Sequence, residues 1–308
     1  IFEDDQKEAV TNINLYLIEG ENDVVHESKK PLSPVPPFVF GNMPNDNGNL
    51  LLSDIEAQAL QKDTNLIPFI KPLISAKEYI HGLGRWCLWL KDASPAIIKN
   101  NPEIYRRVEA NKIYRSQSTR EATKKLAAYP TLFGEMRQPA TNYILIPLHS
   151  SEKRQYIPLG FMSPDDILNN SCGAIPDATL YHFGIMTSLM HMVWVRTIGG
   201  RIKSDYRYSG GLVYNTFPWP ISIAPEAEEK IAAFAQEVLD ARAKHPNATL
   251  ADLYDPNSMP PDLVKAHAAL DRAVDRAYRK EPFTSERERV EYLFGLYQQL
   301  VAAEKTKK

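Results

Sequence analysis

Two cysteines in 308 residues, Cys87 and Cys172, are too few to staple a fold with disulfides or to build a zinc site. No apolar stretch approaches the roughly 20 residues that cross a bilayer. The opening run Ile1-Phe2-Glu3-Asp4-Asp5 has neither a charged leader with an apolar core nor a cleavage site. The expectation is a cytoplasmic protein with no membrane partner. A first residue of Ile rather than Met predicts a piece of a longer polypeptide. Phosphate-cradling glycine loops are also missing, since Gly199-Gly200 and Gly210-Gly211 are doublets that only bracket a loop. His182 and His191 stand nine apart on an apolar run without a His-Glu-x-x-His or paired-cysteine companion, which makes them packing histidines. The turn Asn45-Asp46-Asn47-Gly48 lacks the later glutamate of a calcium loop. No catalytic, metal or cofactor residue is therefore expected in this chain.

Net charge is small, at a formal −2, but the charges are segregated. Residues 1–84 hold 6 Lys/Arg against 13 Asp/Glu, whereas residues 85–154 hold 13 against 6. The overall balance argues against indiscriminate coating of nucleic acid. The basic block is what a local phosphate-binding face requires, with a solvated Lys/Arg-rich helix as the bland alternative.

Residues 12–18 alternate loosely, break at 19–23 and resume at Val24-Val25, as an extended pair would. Four prolines between Pro31 and Pro37 mark a linker or extended crossing. Beyond the turn-rich 41–49, Ser53-Asp54-Ile55-Glu56 has capping-box spacing and predicts a helix over 54–62. The aromatic run 85–90 predicts a buried strand, and Ser94-Pro95 a helix start. A long helix over 102–128 carries Arg106, Arg107, Lys112, Arg115, Arg120, Lys124 and Lys125, with Ile104, Val108 and Leu126 for its inner face. Runs at 131–135, 142–148 and 156–161 predict an antiparallel set of strands. A buried helix over 179–195 and a strand over 212–220 follow. After residue 222 the pattern becomes purely helical, with amphipathic segments at 226–243 and 261–278 and a third starting near Ser285. The fold class expected is α+β, a mixed α/β domain with antiparallel strands, followed by a small all-α bundle.

Amino-methylating DNA enzymes use an Asn/Asp-Pro-Pro-aromatic loop whose first side chain holds the base amino group. The matching tetrad here is Val35-Pro36-Pro37-Phe38, and valine has no acceptor for an amine proton. These prolines read as structural.

The most informative stretch is Arg201-Ile202-Lys203-Ser204-Asp205-Tyr206-Arg207-Tyr208. In an extended backbone alternate side chains share a face, which predicts Arg201, Lys203, Asp205 and Arg207 along one side. Lys donates to guanine O6 and N7, and Asp accepts from cytosine N4, so Lys203 and Asp205 can address both bases of one G·C pair. Arg201 and Arg207 suit bases or phosphates. A surface strand with a charge ladder is the alternative.

The run 200–209, closing on Val213-Tyr214-Asn215-Thr216-Phe217-Pro218-Trp219-Pro220, resembles the end of the target recognition domain of MmeI-like (type IIL restriction-modification) DNA methyltransferases. Phe40-Gly41-Asn42-Met43-Pro44, the segments 85–90 and 174–184, and the tail Leu250-Ala251-Asp252-Leu253-Tyr254-Asp255-Pro256 with 270–275 are similar to that family too. The resemblance implies an adenine-N6 methyltransferase using S-adenosylmethionine, often fused to a nuclease, whose C-terminal part chooses the DNA site. It also implies that Lys203 and Asp205 act together on one base pair, while Arg207 helps with another.

The organisation expected is a methyltransferase remnant and linker over 1–36, a target recognition domain over 37–222 and a helical domain over 223–308. Double-stranded DNA is the expected partner, alongside upstream methyltransferase and nuclease domains of the same polypeptide. Arg106, Arg107, Lys112, Arg115, Arg120, Lys124 and Arg201 would hold phosphates, while Lys203, Asp205 and Arg207 specify bases. The rival is a protein-interaction module in which the helical part is the functional one.

Overall fold

The computed structural model describes residues 12–16 and 24–306, together with the short strands Phe2–Glu3 and Gln6–Lys7. Two compact units result, and they interleave along the sequence. One comprises residues 39–145 and 161–174; the other comprises 1–38, 146–160 and 175–308.

In the unit built on 39–145, turn chemistry comes first. Gly41 sits where an added Cβ would lie 2.1 Å from the carbonyl oxygen of Asn169, so only glycine fits. The Asp46 carboxylate accepts from Gly48 N–H (3.0 Å) and Leu50 N–H (2.5 Å), closing the 45–49 turn. The capping box predicted at Ser53 and Glu56 is present and starts the helix Asp54–Leu60. A four-stranded sheet then runs in the order Ile167–Leu168, Ile70–Ile74, Trp86–Leu88, Leu51–Leu52. Its first pair is parallel and the other two antiparallel. Leu50, Leu52, Leu73 and Leu88 fill its core together with Ile104 and Val108 from the helix Pro102–Ser116. Ser94 and Asn101 cap successive helices at Pro95–Asn100 and Pro102–Ser116, each with proline in the first turn.

Two predicted elements of this unit differ. The helix over 102–128 stops at Ser116 and resumes only as Glu121–Lys125 and a 3₁₀ turn Leu126–Ala128. Ser118 Oγ accepts from Arg120 N–H (3.2 Å), the local bond by which serine competes with helix. Residues 131–135 form no strand beyond a single bridge between Met43 and Glu135. Their Leu132 carbonyl is taken by the Arg115 guanidinium instead of a ladder.

In the other unit, the expected extended pair near the start is only partly visible. Residues 12–16 hold a single bridge residue, Ile13, before a turn in which Asn14 Oδ1 accepts from Tyr16 N–H (2.9 Å); Val24-Val25 joins no strand, and 17–23 lie outside the described residues. The proline-rich segment runs along residues 215–219, with Leu32 N–H donating to the Asn215 carbonyl (2.8 Å). The helix predicted over 179–195 is two helices, Leu180–Met186 and Leu189–Ile198. Ser188 breaks it by donating to the Ile185 carbonyl (2.7 Å) and capping His191 N–H (3.4 Å). The apolar periodicity continues across the break because both helices are buried. Residues 212–220 are no strand either. Gly210–Tyr214 is a π-helical turn, with Asn215 N–H reaching the Gly210 carbonyl (2.9 Å). A short apolar run with both faces buried reads the same for strand and helix. Residues 156–159 are irregular as well, and the strand there is Gly160–Met162. Pro158 interrupts the run, and the Leu159 carbonyl accepts from Arg242 Nη1 (2.5 Å). The three expected C-terminal helices are Pro225–Ala243, Pro261–Tyr278 and Glu286–Thr306, joined by the short Leu250–Leu253. Gly184 allows the helix Leu180–Met186 to approach Ile231, where a Cβ would meet its Cγ2 at 2.7 Å.

Candidate nucleic-acid interface

The helix Leu189–Ile198 leads directly into a strand Gly200–Ile202, a two-residue turn at Lys203-Ser204, and a strand Asp205–Arg207. Arg201 lies opposite Tyr206 and Ile202 opposite Asp205. A third strand, His149–Ser150, pairs on the far edge, Ser150 opposite Tyr206 and His149 opposite Arg207. Lys203 turns the chain with φ at +56°.

This geometry corrects the single extended edge expected over 201–207. Directly paired residues share a face, so Arg201 stands with Tyr206 on one side. Asp205 and Arg207 stand with Ile202 and His149 on the other. Lys203 occupies the tip. The turn reverses the alternation that period-two counting assumes. Lys203, Asp205, Arg207 and Arg201 are all exposed. Arg201 lays its guanidinium 4.2 Å from the Tyr206 ring centre and donates to the Ser204 carbonyl (3.1 Å). Asp205 Oδ1 accepts from Glu152 N–H (3.3 Å), and the Tyr206 hydroxyl donates to the Glu152 carbonyl (3.1 Å). His149 and Glu152 thus belong to the hairpin's surroundings from more than fifty residues away. No local sequence signal marks them.

The basic helix sorts its arginines by depth. Arg115 is fully buried, and all five of its N–H groups reach carbonyl oxygens, those of Asn45, Leu126, Tyr129, Pro44 and Leu132. Arg107 is buried too, bonded to Glu103, Glu56 and the carbonyls of Asn49 and Leu51. Neither is available to a phosphate, which corrects both expectations. The missed signal was periodicity, because 104, 108, 111 and 115 form one buried helical stripe. Arg106, Lys112, Arg120 and Lys124 remain at the surface. Arg106 is held by both oxygens of Glu103 (2.9 and 2.6 Å), whose pKa that contact pulls down to about 2, and Lys124 pairs with Glu121 at 2.7 Å.

Cys87, Cys172 and His191 are buried, whereas His182 and the tetrad 35–38 are partly exposed. Burial pushes both thiols up, that of Cys172 to about 12. His191 is buried against Phe217 with Nε2 3.0 Å from the Tyr208 hydroxyl, and burial lowers it to about 3. His182 accepts at its helix start from Thr179 N–H (3.1 Å). In the tetrad 35–38, the Pro36 carbonyl accepts from the Tyr214 hydroxyl (2.7 Å) and Phe38 packs on Tyr208 and Tyr214. Among the described residues no three His, Cys, Asp or Glu side chains are placed to hold a metal, and no helix is long and apolar enough to cross a membrane.

Fold and site together define an α+β protein with a helical C-terminal region and an exposed charged hairpin. Its particular family follows from comparison. Residues 19–221 match the MmeI target recognition domain and residues 223–304 the MmeI C-terminal domain, so the chain belongs to the MmeI family. It is 44% identical over 301 residues to DNA methyltransferase A of Bacillus subtilis (strain 168), covering 97% of this chain and 34% of that protein. It superposes with a TM-score of 0.90 on the solved structure of the type IIL restriction-modification enzyme MmeI in complex with DNA, at 38% identity over 95% of this chain and 39% of that one. The chain thus spans little more than a third of these relatives.

Proposed function

We propose that this chain is the DNA-sequence-reading part of a type IIL restriction-modification, adenine-N6-specific DNA methyltransferase, acting in the cytoplasm. The observation that carries the reading is the exposed hairpin, with Lys203 at its tip and Asp205 and Arg207 on one face. The likeness to an enzyme solved with DNA supports it. Lys203 donates to guanine O6 or N7, Asp205 accepts from cytosine N4, and Arg207 addresses a further base. Arg106, Lys112, Arg120, Lys124 and Arg201 supply phosphate contacts that hold register without reading sequence.

Methyl transfer is assigned to other domains of the same polypeptide. S-adenosylmethionine supplies the methyl group there. The tetrad of this chain that resembles a methylation loop begins with Val35, which offers no acceptor for a base amino group, and its Phe38 packs on Tyr208 and Tyr214.

The test is selection from randomised duplexes with the chain and with the double exchange Lys203→Glu, Asp205→Arg. Donor and acceptor swap sides, so one G·C position of the enriched motif becomes C·G. An unchanged motif overturns the assignment. Binding without salt dependence would favour the protein-interaction reading.

A further inference from the structure

Two chain segments enter the reading sheet, and both are tied to one carboxylate. The strand His149–Ser150 continues through Glu152, which holds Asp205 and Tyr206, to the buried Tyr156. The Tyr156 hydroxyl donates to Asp271 Oδ2 at 2.6 Å, and its ring stacks on His267 with centroids 4.0 Å apart. The second segment is the helix Leu189–Ile198, which runs straight into the hairpin. Its first N–H, that of Leu189, donates to Asp271 Oδ1 at 2.7 Å. The same helix carries His191, bonded to the hydroxyl of Tyr208, and Tyr208 N–H closes on the Leu148 carbonyl at 2.9 Å. One oxygen of Asp271 therefore anchors each root of the sheet.

We propose that Asp271, in the helix Pro261–Tyr278, is a positioning residue for base discrimination, fixing the two roots of the reading sheet so that the hairpin meets base edges in a single geometry. The proposal rests on the DNA-reading function above. Hydrogen bonds to an ionised carboxylate are short and strong, and base readout tolerates misplacement of only about 0.5 Å. Further side chains steady the same segment. Arg196 reaches the Gln155 carbonyl (2.9 Å) while paired with Glu286, and Arg242 reaches the Leu159 carbonyl. Asp271 lies within the MmeI C-terminal domain match and the hairpin within the target recognition domain match. This gives the helical region a part in readout without touching DNA.

The test uses the 308-residue chain and two variants. Asp271→Asn keeps volume but turns one acceptor into a donor, and Tyr156→Phe removes one arm only. Amide hydrogen exchange at residues 206–208 should quicken by about tenfold in Asp271→Asn and less in Tyr156→Phe. Selection from a randomised duplex pool should return a degraded motif, while affinity for the unselected pool at low salt stays within about twofold because phosphate contacts dominate it. Arg115→Lys, which destabilises the other compact unit, should lower Tm without quickening exchange at 206–208. Unchanged exchange at 206–208 in Asp271→Asn, or quickened exchange with a fully retained motif, overturns the proposal. If the unsubstituted chain enriches no motif, the DNA-reading function fails instead, and quickened exchange still supports Asp271 as the hairpin's anchor.

Discussion

Arg115 Nη2 donates to the carbonyl oxygen of Pro44 at 2.9 Å, one of five bonds by which this side chain closes the loops at 44–45, 126–129 and 132 around a single guanidinium. Beyond the Met43–Glu135 bridge and the bond from Gly134 N–H to the Pro44 carbonyl those loops form no ladder, so the arginine supplies much of what strand pairing would otherwise provide. Lysine offers three donors and no planar fork, so Arg115→Lys loses at least two of these five bonds, while the Pro44, Leu126 and Tyr129 carbonyls keep the backbone N–H groups of Gly134, Tyr129 and Leu132. At about 1–3 kcal/mol for each bond lost from this charged donor the loss is about 2–6 kcal/mol. Thermal denaturation should show a Tm lower by roughly 5–15 °C. The salt dependence of DNA binding should not change.

On the DNA-reading proposal, that dependence belongs to the surface cations. Removing one Lys or Arg that neutralises a phosphate should reduce the slope of log K against log salt by about one. Lys112→Ala and Arg120→Ala should show the full effect. Arg106→Ala and Lys124→Ala should show less, because Arg106 must first leave Glu103 and Lys124 must leave Glu121. Titrations of a fixed duplex at several salt concentrations check the order. Slopes in all four variants equal to that of the unsubstituted chain would place the phosphate face elsewhere.

Much of the architecture was legible because its signals are local. Ser53 with Glu56 and Ser94 with Pro95 announce themselves within one turn, and the three C-terminal amphipathic helices within their own length. Much of what escaped depends on partners distant in sequence or on breaks without glycine or proline. Lys203-Ser204 turns a hairpin with neither Gly nor Asn at the turn, against the usual preference. Ser188 divides a helix whose apolar pattern never falters. Of the candidate site, the exposed charges at 201–207 were readable, but their distribution over two faces and the third strand from 149–150 were not. Arg107 and Arg115 were counted by charge when their helical phase already placed them inside.

Gly41 is a second point where backbone meets backbone. Its position against the Asn169 carbonyl is locked by Asn42 N–H donating to the Leu168 carbonyl at 2.7 Å. Backbone cannot swing aside as a flexible side chain does, so Gly41→Ala should cost about 2–4 kcal/mol, comparable to severe core overpacking. Urea denaturation should report the loss. A cost below about 0.5 kcal/mol, the range of neutral surface changes, would show that the two segments separate freely.

The acid response of the fold combines two opposite contributions. His191 is held neutral by burial, with its pKa near 3, and burial takes His267 well below its ordinary value. Both are neutral when folded and protonate in the unfolded chain below pH about 6.5. Stability is therefore lost as pH falls, at up to about 1.4 kcal/mol per pH unit for each. Asp271 runs the other way. Burial is the main reason its pKa rises to about 6. The bonds from Tyr156 and Leu189 oppose this, as does Arg289, while Asp275 adds to it. Its folded value exceeds the unfolded one of about 3.9. The folded state then binds more protons between pH about 4 and 6, and the contribution of Asp271 to stability falls as pH rises through that window. Asp271→Asn removes only this part. The variant should be penalised relative to the unsubstituted chain more heavily at pH 5 than at pH 7, although both weaken in acid because of the histidines. Urea midpoints at pH 5, 6 and 7 measure the difference, and a constant difference would mean that Asp271 does not titrate in this range.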